Sequence, residues 1–476
     1  MASNVAGSSG PVAYIADILG ASEPALRLFY TILLGYPLAY FHRTYLFGKS
    51  PCLQHLFFIG CGLTLGYYNY GNDMIHSIIS VLFTYLLLFT MGGTFNSVII
   101  SFVFNMSYLM FGYYVTGTDD YDIKWSMPHC VLTLRLIGLA FDVYDGQKKE
   151  SELSNDQKKT ALRNCPSLIE VAGHTYFFGG FMVGPQFPMK RYIDFINGSF
   201  PAKTIAGKPS CIGAGLKRLG VGILILSIYQ VGNTYIPEKV FLSDAYVMEY
   251  PLWKKLIIMG LWGKIVLYKY IACWLVSEGS CIMAGLTYNG KDSEGNDLWD
   301  GCANAKMRQY TTSSTFAGLI QSFNINTNLW VAQYVFKRLK FLGNRYISQA
   351  AALLFLAVWH GLHSGYYVCF MNEFIVMYFE KDFESFLDSR FPKVKAFFMG
   401  GALRPVSLVL MRVFVDIMMG YSLVGFVLLS FGKYMKAYST VYFCGHILYF
   451  GWPLLAIALR KLIPRSKSKA DKDKAQ

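Results

Sequence analysis

A chain of 476 residues that is 54% hydrophobic, 17% aromatic and only 15% charged is too apolar for a soluble globular protein, where roughly a quarter of residues carry charge. Apolar stretches of bilayer-spanning length recur along it, and the short alternating segments of a β-barrel do not, which points to an all-α polytopic membrane protein. The formal net charge of +14 sits in loops and the C-terminal tail without basic-aromatic clustering. It therefore fits cytosolic loops facing anionic head groups, and no nucleic-acid partner is expected.

Residues 1–24 lack a basic n-region and are not read as a cleavable signal peptide. The pattern then predicts spans at about residues 25–45, 53–69, 74–91 and 94–116. The stretch from Asp122 to Asp142 carries Lys124, His129 and Arg135 where an apolar run begins, so these groups are expected to face the bundle interior or an interface. Gly146–Arg163 is a charged loop with a lysine excess, read as cytosolic. From Pro166 to Tyr192, Gly-Gly and Gly-Pro pairs predict a broken or re-entrant helix. Such backbone is tolerated at membrane depth only when buried in protein or lining a cavity.

Lys190, Arg191, Lys203, Lys208, Lys217 and Arg218 surround the next loop, before a span at about 219–236. The run from Leu252 to Thr287 holds Lys264, Lys269 and Glu278 in apolar sequence. Lys269 and Glu278 are not at a helical contact spacing, so each needs another partner. Residues 289–310 form a polar loop with turn signals, and Asn324-Ile325-Asn326-Thr327-Asn328 interrupts the next apolar stretch. A cationic loop (Lys337, Arg338, Lys340, Arg345) precedes the apolar run Ser348–Tyr378, and last spans are expected at about 405–430 and 437–462. The final 17 residues hold seven Lys or Arg, which places the tail in the cytosol by the positive-inside rule. This gives about eleven spans, an N-terminal segment (1–24) in the lumen, one membrane domain (25–463) and a basic tail (464–476). The closing Lys472-Asp473-Lys474-Ala475-Gln476 is similar to a K-x-K-x-x signal for retrieval to the endoplasmic reticulum. The ten cysteines form no CxxC pair and no metal-ligand spacing, so neither a metal site nor a disulfide framework is expected.

The stretch Trp359-His360-Gly361-Leu362-His363-Ser364-Gly365-Tyr366 stands out. Two histidines three residues apart share one face of a continuous helix, and ionisable groups inside a span usually mark a site. The bland alternative is that Gly361, Ser364 and Gly365 permit close helix packing and the histidines bond a neighbouring backbone. His360 lies 15 residues beyond Arg345, roughly 22 Å of continuous helix. Asn324 lies 13 residues before Lys337, roughly 20 Å. Both depths fall inside a hydrocarbon core about 30 Å thick, which permits a buried polar pair reached from a basic cytosolic mouth.

The Trp359–Tyr366 stretch resembles the W-H-G-x-x-x-G-Y signature of the membrane-bound O-acyltransferase (MBOAT) family. Ser322–Trp330 (SFNINTNLW) resembles the family's upstream asparagine motif, Lys269–Gly279 (KYIACWLVSEG) its basic-aromatic segment, and Val183–Phe187 (VGPQF) its Gly-Pro element. The resemblance implies re-entrant helices around a buried reaction chamber, with His360 and Asn324 catalytic and Asn328 competing for the asparagine role. It implies acyl transfer from acyl-CoA to the sn-2 hydroxyl of a lysophospholipid. Lysophosphatidylcholine is the expected acceptor, with the ethanolamine and serine forms beside it; arachidonoyl-CoA and linoleoyl-CoA are the expected donors. Acyl-CoA is then a substrate, no cofactor is required, membrane lipids are partners, and the oligomeric state, including a homo-oligomer, is open. A neutral imidazole at His360 suits deprotonation of the hydroxyl, and Asn324 suits orienting it or bonding the oxyanion. Trp359, His363, Lys269, Tyr270 and Asn328 are candidates for substrate contact, set against packing for Trp359 and His363 and snorkelling or pairing for Lys269. Rival readings are a protein or sterol O-acyltransferase of the same superfamily, and a transporter with an intramembrane His/Lys/Glu relay. No inverted repeat supports the transporter.

Overall fold

The computed structural model describes residues 10–118, 123–199 and 210–465. Residues 1–9, Lys203, Lys208 and the retrieval-like tail from 466 onward lie outside them. The chain opens with α1 (Pro11–Leu19), α2 (Glu23–Phe41), α3 (Pro51–Tyr70), α4 (Ile75–Met91), α5 (Phe95–Thr116) and α6 (Ser126–Gly146). Short pieces follow: α7 (Asn155–Thr160), α8 (Leu168–Thr175), α9 (Phe178–Phe181) and α10 (Met189–Ile196). Then come α11 (Ile212–Tyr235), α12 (Leu252–Ala284), α13 (Met307–Thr312), α14 (Phe316–Ile320) and α15 (Ile325–Val331). The chain closes with α16 (Arg345–His360), α17 (Ser364–Arg390), α18 (Pro392–Met399), α19 (Arg404–Leu428), α20 (Phe431–Ser439) and α21 (Cys444–Leu462). Among the described residues there is no strand, only an isolated bridge between Lys291 and Asp297.

Six helical segments among the described residues are long and apolar enough to cross a bilayer, or seven if the bent α20–α21 pair is one span. The protein is thus a multi-pass helical membrane protein. Apolar side chains such as Phe89, Val103, Leu224 and Leu454 point outward, as expected where the surrounding medium is hydrocarbon rather than water. The spans predicted at 53–69 and 74–91 run together as one 41-residue segment, Pro51–Met91, through a 3₁₀ turn at Gly71–Met74.

The chain divides into two compact units. The first holds residues up to Leu226, Tyr270–Ala305 and Ile325–Phe341. Its centre is α6, with 83% of its apolar window buried against 33% for α5. The short pieces α8 to α10 belong to the same unit and form the broken helix that the Gly-Gly and Gly-Pro pairs predict. Their backbone leaves the helix inside the protein, so its carbonyls need donors. Arg135 on α6, itself buried, supplies them: its guanidinium donates to the carbonyls of His174 (3.0 Å), Thr175 (3.1 Å), Gly180 (2.7 Å) and Pro185 (3.2 Å) and to Gln186 Oε1 (3.2 Å). Ser277 Oγ adds a bond to the Gly179 carbonyl at 2.8 Å. Gly62 lets α3 approach the same segment, because a Cβ there would stand 1.9 Å from the Tyr176 carbonyl oxygen. A stripe at helical spacing, Trp330, Tyr334 and Arg338, lies along α6. Trp330 approaches Gly138, the Tyr334 hydroxyl donates to Asp142 at 2.7 Å, and Arg338 pairs with Asp145.

The second unit holds Ser227–Lys269, Lys306–Asn324 and the chain from Leu342 onward. Here α17 and α19 touch through glycine: a Cβ on Gly365 would lie 2.0 Å from the Gly425 carbonyl oxygen. Gly420 plays the same part against Met259 in α12, also at 2.0 Å. Small residues permit this backbone approach where helices associate without a hydrophobic drive. Asp382 of α17 ties α21 in place, accepting from Trp452 Nε1 (2.9 Å) and pairing with Arg460 (2.8 Å).

Candidate functional site

The second unit carries the histidine motif. Asn344 caps α16, its Oδ1 accepting the backbone N–H groups of Tyr346 (2.9 Å) and Ile347 (3.3 Å). The helix stops at His360 because Gly361 takes φ 142° and ψ −172°, a conformation essentially reserved for glycine. A new helix, α17, starts at Ser364 with His363 as its cap residue. The apolar run Ser348–Tyr378 is therefore two helices, and the expectation that His360 and His363 share one helical face is corrected. His360 ends one helix, and an extended linker separates it from His363, whose ring lies 6.2 Å from that of Tyr366.

The break seats the His360 ring among aromatics. It stacks on Phe370 of α17 (5.3 Å, 28°) and meets Phe426 of α19 edge-on (5.0 Å, 77°). Trp359 and Tyr366 close the sides at 4.7 Å and 5.7 Å. Trp359 is buried and His360 partly buried. Neither imidazole nitrogen makes a protein hydrogen bond among the described residues, so the ring is held by packing alone.

Asn324 lies in the same unit, and its φ of 46° places it in the left-handed region. Among non-glycine residues asparagine tolerates that region best. It follows the Lys306–Phe323 segment and immediately precedes α15, and it is partly buried. Its side-chain amide makes no protein hydrogen bond among the described residues, to His360 or to any other group. The neighbouring Asn326 is spoken for: its amide donates to the Cys302 carbonyl (3.0 Å) and to Asn304 Oδ1 (3.2 Å). Asn304 in turn offers its backbone N–H to Glu278 (3.3 Å), and Glu278 pairs with Arg218 at 2.9 Å. The intramembrane acid thus has its own partner, as its spacing from Lys269 required, and Lys264 pairs with Asp416 at 3.5 Å. Lys269 belongs with Asn324 and His360 to the second unit, whereas Tyr270 and Asn328 belong to the first. All of Lys269, Tyr270 and Asn328 are engaged with other groups of the protein.

Three residues escaped the sequence reading. Glu373 is buried on α17 one turn beyond Phe370, and among the described residues its one hydrogen-bond partner is the Cys369 thiol, at 3.9 Å. A lone acid in the Ser348–Tyr378 run was the available signal. Glu380 and Arg412 are the others, and they bind backbone groups whose positions no spacing rule gives. Among the described residues no three His, Cys, Asp or Glu side chains converge to hold a metal ion, and all ten cysteines are free thiols.

A multi-pass helical bundle, with an imidazole and a carboxamide in one unit that make no protein hydrogen bond among the described residues, is the frame in which the chain's relatives are read. The model of the membrane-bound O-acyltransferase family matches residues 110–424. The chain is 46% identical over 455 residues to lysophospholipid acyltransferase 5 of Homo sapiens, covering 95% of this chain and 93% of that one. It is 44% identical to the protein of that name in Drosophila melanogaster (92% and 88% covered) and 35% identical to that in Caenorhabditis elegans (98% and 98%). The chain belongs to the membrane-bound O-acyltransferase family.

Proposed function

We propose that the protein transfers a fatty acyl group from acyl-CoA to the free sn-2 hydroxyl of a lysophospholipid, with lysophosphatidylcholine as the preferred acceptor and polyunsaturated donors such as arachidonoyl-CoA. The observation that carries the reading is the His360 imidazole, held inside the membrane bundle at a helix break with both nitrogens unpaired among the described residues. The names of the relatives, lysophospholipid acyltransferases, support the substrate class.

In this reading His360 takes the proton of the acceptor hydroxyl as its oxygen attacks the thioester carbonyl. The tetrahedral intermediate carries its negative charge on the former carbonyl oxygen, toward which the Asn324 amide donates. Collapse breaks the carbon–sulfur bond, and the departing thiolate takes the proton back from His360. The products are a phospholipid and free CoA, formed without an acyl-enzyme. Lys269 attracts the CoA phosphates. The protein resides in the endoplasmic reticulum membrane with its C-terminus in the cytosol. Of its about eleven spans, those that fall short of the length or apolarity of an unaided crossing include α2, with Glu23 and Arg27 near its start, α16, with 16 residues, and α17, with a charged second half.

The test is acyl transfer by purified, detergent-solubilised protein given arachidonoyl-CoA and a panel of lysophospholipids. Loss of a general base costs about 10²–10⁴-fold, so His360→Ala is expected to fall by at least that lower factor while remaining folded. A folded wild type inert toward every lysolipid would move the acceptor to a protein or sterol. Undiminished turnover in His360→Ala would end the mechanism.

A further inference from the structure

Asn324 stands at the end of a segment, Lys306–Phe323, built from two short helices, α13 and α14, joined by a turn. The segment closes on itself where the Lys306 N–H meets the Ser322 carbonyl at 2.8 Å, and the Gln309 side chain bonds the Gly318 carbonyl at 3.0 Å. Two charged side chains from remote helices hold it from outside. Glu380 of α17 accepts the backbone N–H groups of Phe316 (2.6 Å) and Ala317 (3.0 Å), the first residues of α14. Thr315 Oγ1 takes the next one, from Gly318, at 3.1 Å. Arg412 of α19 donates through Nη1 to the carbonyls of Tyr310 (2.7 Å) and Ser313 (3.0 Å), where α13 ends. A carboxylate thus meets orphan N–H groups at a helix start, and a guanidinium meets orphan carbonyls at a helix end, so each charge also suits the local backbone dipole. Arg412 is itself oriented by a two-point pair with Asp416 (3.1 and 2.6 Å). Tyr310 and Phe316 are both buried, and the Tyr310 ring touches that of Phe323, next to Asn324, at 6.2 Å.

The same two helices seat His360, through Phe370 of α17 and Phe426 of α19. Glu380 lies ten residues beyond Phe370, about 15 Å along the helix, and Arg412 lies 14 residues before Phe426, about 21 Å. Neither acts on His360 directly. We propose that Glu380 and Arg412 are positioning residues that fix Asn324 in register with His360 by clamping its segment onto the helix pair that holds the histidine. The inference rests on the reading that Asn324 takes part in transfer.

Initial rates of acyl transfer by purified Asn324→Ala, Glu380→Ala, Glu380→Gln, Arg412→Lys and the Asn324→Ala/Glu380→Ala double variant test it, with gel filtration and melting as folding controls. A misplacement near 1 Å can cost up to about 100-fold, so Glu380→Ala is expected to lose kcat on that scale with the KM for acyl-CoA unchanged. Glu380→Gln, which keeps one acceptor oxygen, is expected to fall between it and wild type. Arg412→Lys, which cannot hold two carbonyls and Asp416 together, is expected to lose kcat likewise. Because Glu380 acts through Asn324, the double variant should be no slower than Asn324→Ala alone. Additive losses, or wild-type rates in folded Glu380→Ala and Arg412→Lys, overturn the clamp while leaving the role of Asn324 intact. Wild-type turnover in Asn324→Ala instead overturns that role and the clamp with it. Should Glu380→Ala not fold, Glu380→Gln and Arg412→Lys give the same decision.

Discussion

Replacing Arg135 by lysine tests how the broken segment of α8 to α10 is held. All five guanidinium N–H donors of Arg135 are used, on the carbonyls of His174, Thr175, Gly180 and Pro185 and on Gln186 Oε1. No carboxylate pairs with it among the described residues, so these dipoles, with the face of the Phe187 ring 4.7 Å away, accommodate the buried charge. An ammonium has three donors, and at least two of the five acceptors lose their partner. Each orphaned buried group costs about 1–3 kcal/mol, which puts Arg135→Lys at about 2–6 kcal/mol, a large part of a total stability of about 5–15 kcal/mol. Arg135→Met, with no donor at all, should be worse. The measurement is the melting temperature of purified protein in detergent, followed by tryptophan fluorescence. Arg135→Lys is expected to melt several degrees below wild type and Arg135→Met to yield little folded protein. A lysine variant melting within about 1 °C of wild type would refute the argument that these bonds hold the segment.

Gly361→Ala puts a side chain where φ is 142°, at a strain of about 1–3 kcal/mol. Relief of that strain turns the α16–α17 break, so initial rates of transfer should drop by up to about 100-fold in protein that still elutes as a sharp gel-filtration peak. Unchanged rates would mean that the angle of the break does not set the histidine. Asp156, in the charged loop and half-exposed, pairs with Lys337, which holds its carboxyl below the usual carboxylate range. That contribution is present above the unfolded pKa and lost as pH falls through the lower folded value, so Asp156→Asn should lower stability by at most about 1 kcal/mol at pH 7, a difference that closes on acidification below about pH 4. A larger loss, or one that grows in acid, would contradict the assignment.

Much of this was legible in the chain because membranes punish unsatisfied groups. The apolar runs and low charge gave the helical class, and the glycine and proline pairs after Pro166 gave the broken helix that α8 to α10 form. The spacing of Lys269 and Glu278 already required separate partners, and Glu278 has Arg218. Two features were not legible. A run of apolar residues looks the same whether one helix or two pass through it, and the break after His360 depends on a dihedral angle at Gly361 that glycine permits but does not demand. Partners such as Glu380 and Arg412 bind backbone atoms of a segment distant in sequence, and backbone atoms carry no residue code. Helix periodicity therefore placed His360 and His363 on one face, where the structure separates them.

The seat of His360 bears on how the proposed base is kept productive. In many enzymes a general base is oriented by a third polar group, usually a carboxylate on its second nitrogen. Here the described residues offer none: Phe370, Phe426, Trp359 and Tyr366 fix the plane of the ring. A partly buried polar side chain without a partner carries a cost, which in the proposed mechanism is met when the acceptor hydroxyl and then the departing thiolate meet the ring in turn. The same holds for Asn324, held in a left-handed turn with its amide unspent. In the proposed mechanism both groups keep their hydrogen-bonding capacity for the substrate, so what aligns them has to come from backbone geometry and from neighbours that never touch the chemistry. The glycine break does this for the histidine, and the Glu380 and Arg412 clamp does it for the asparagine.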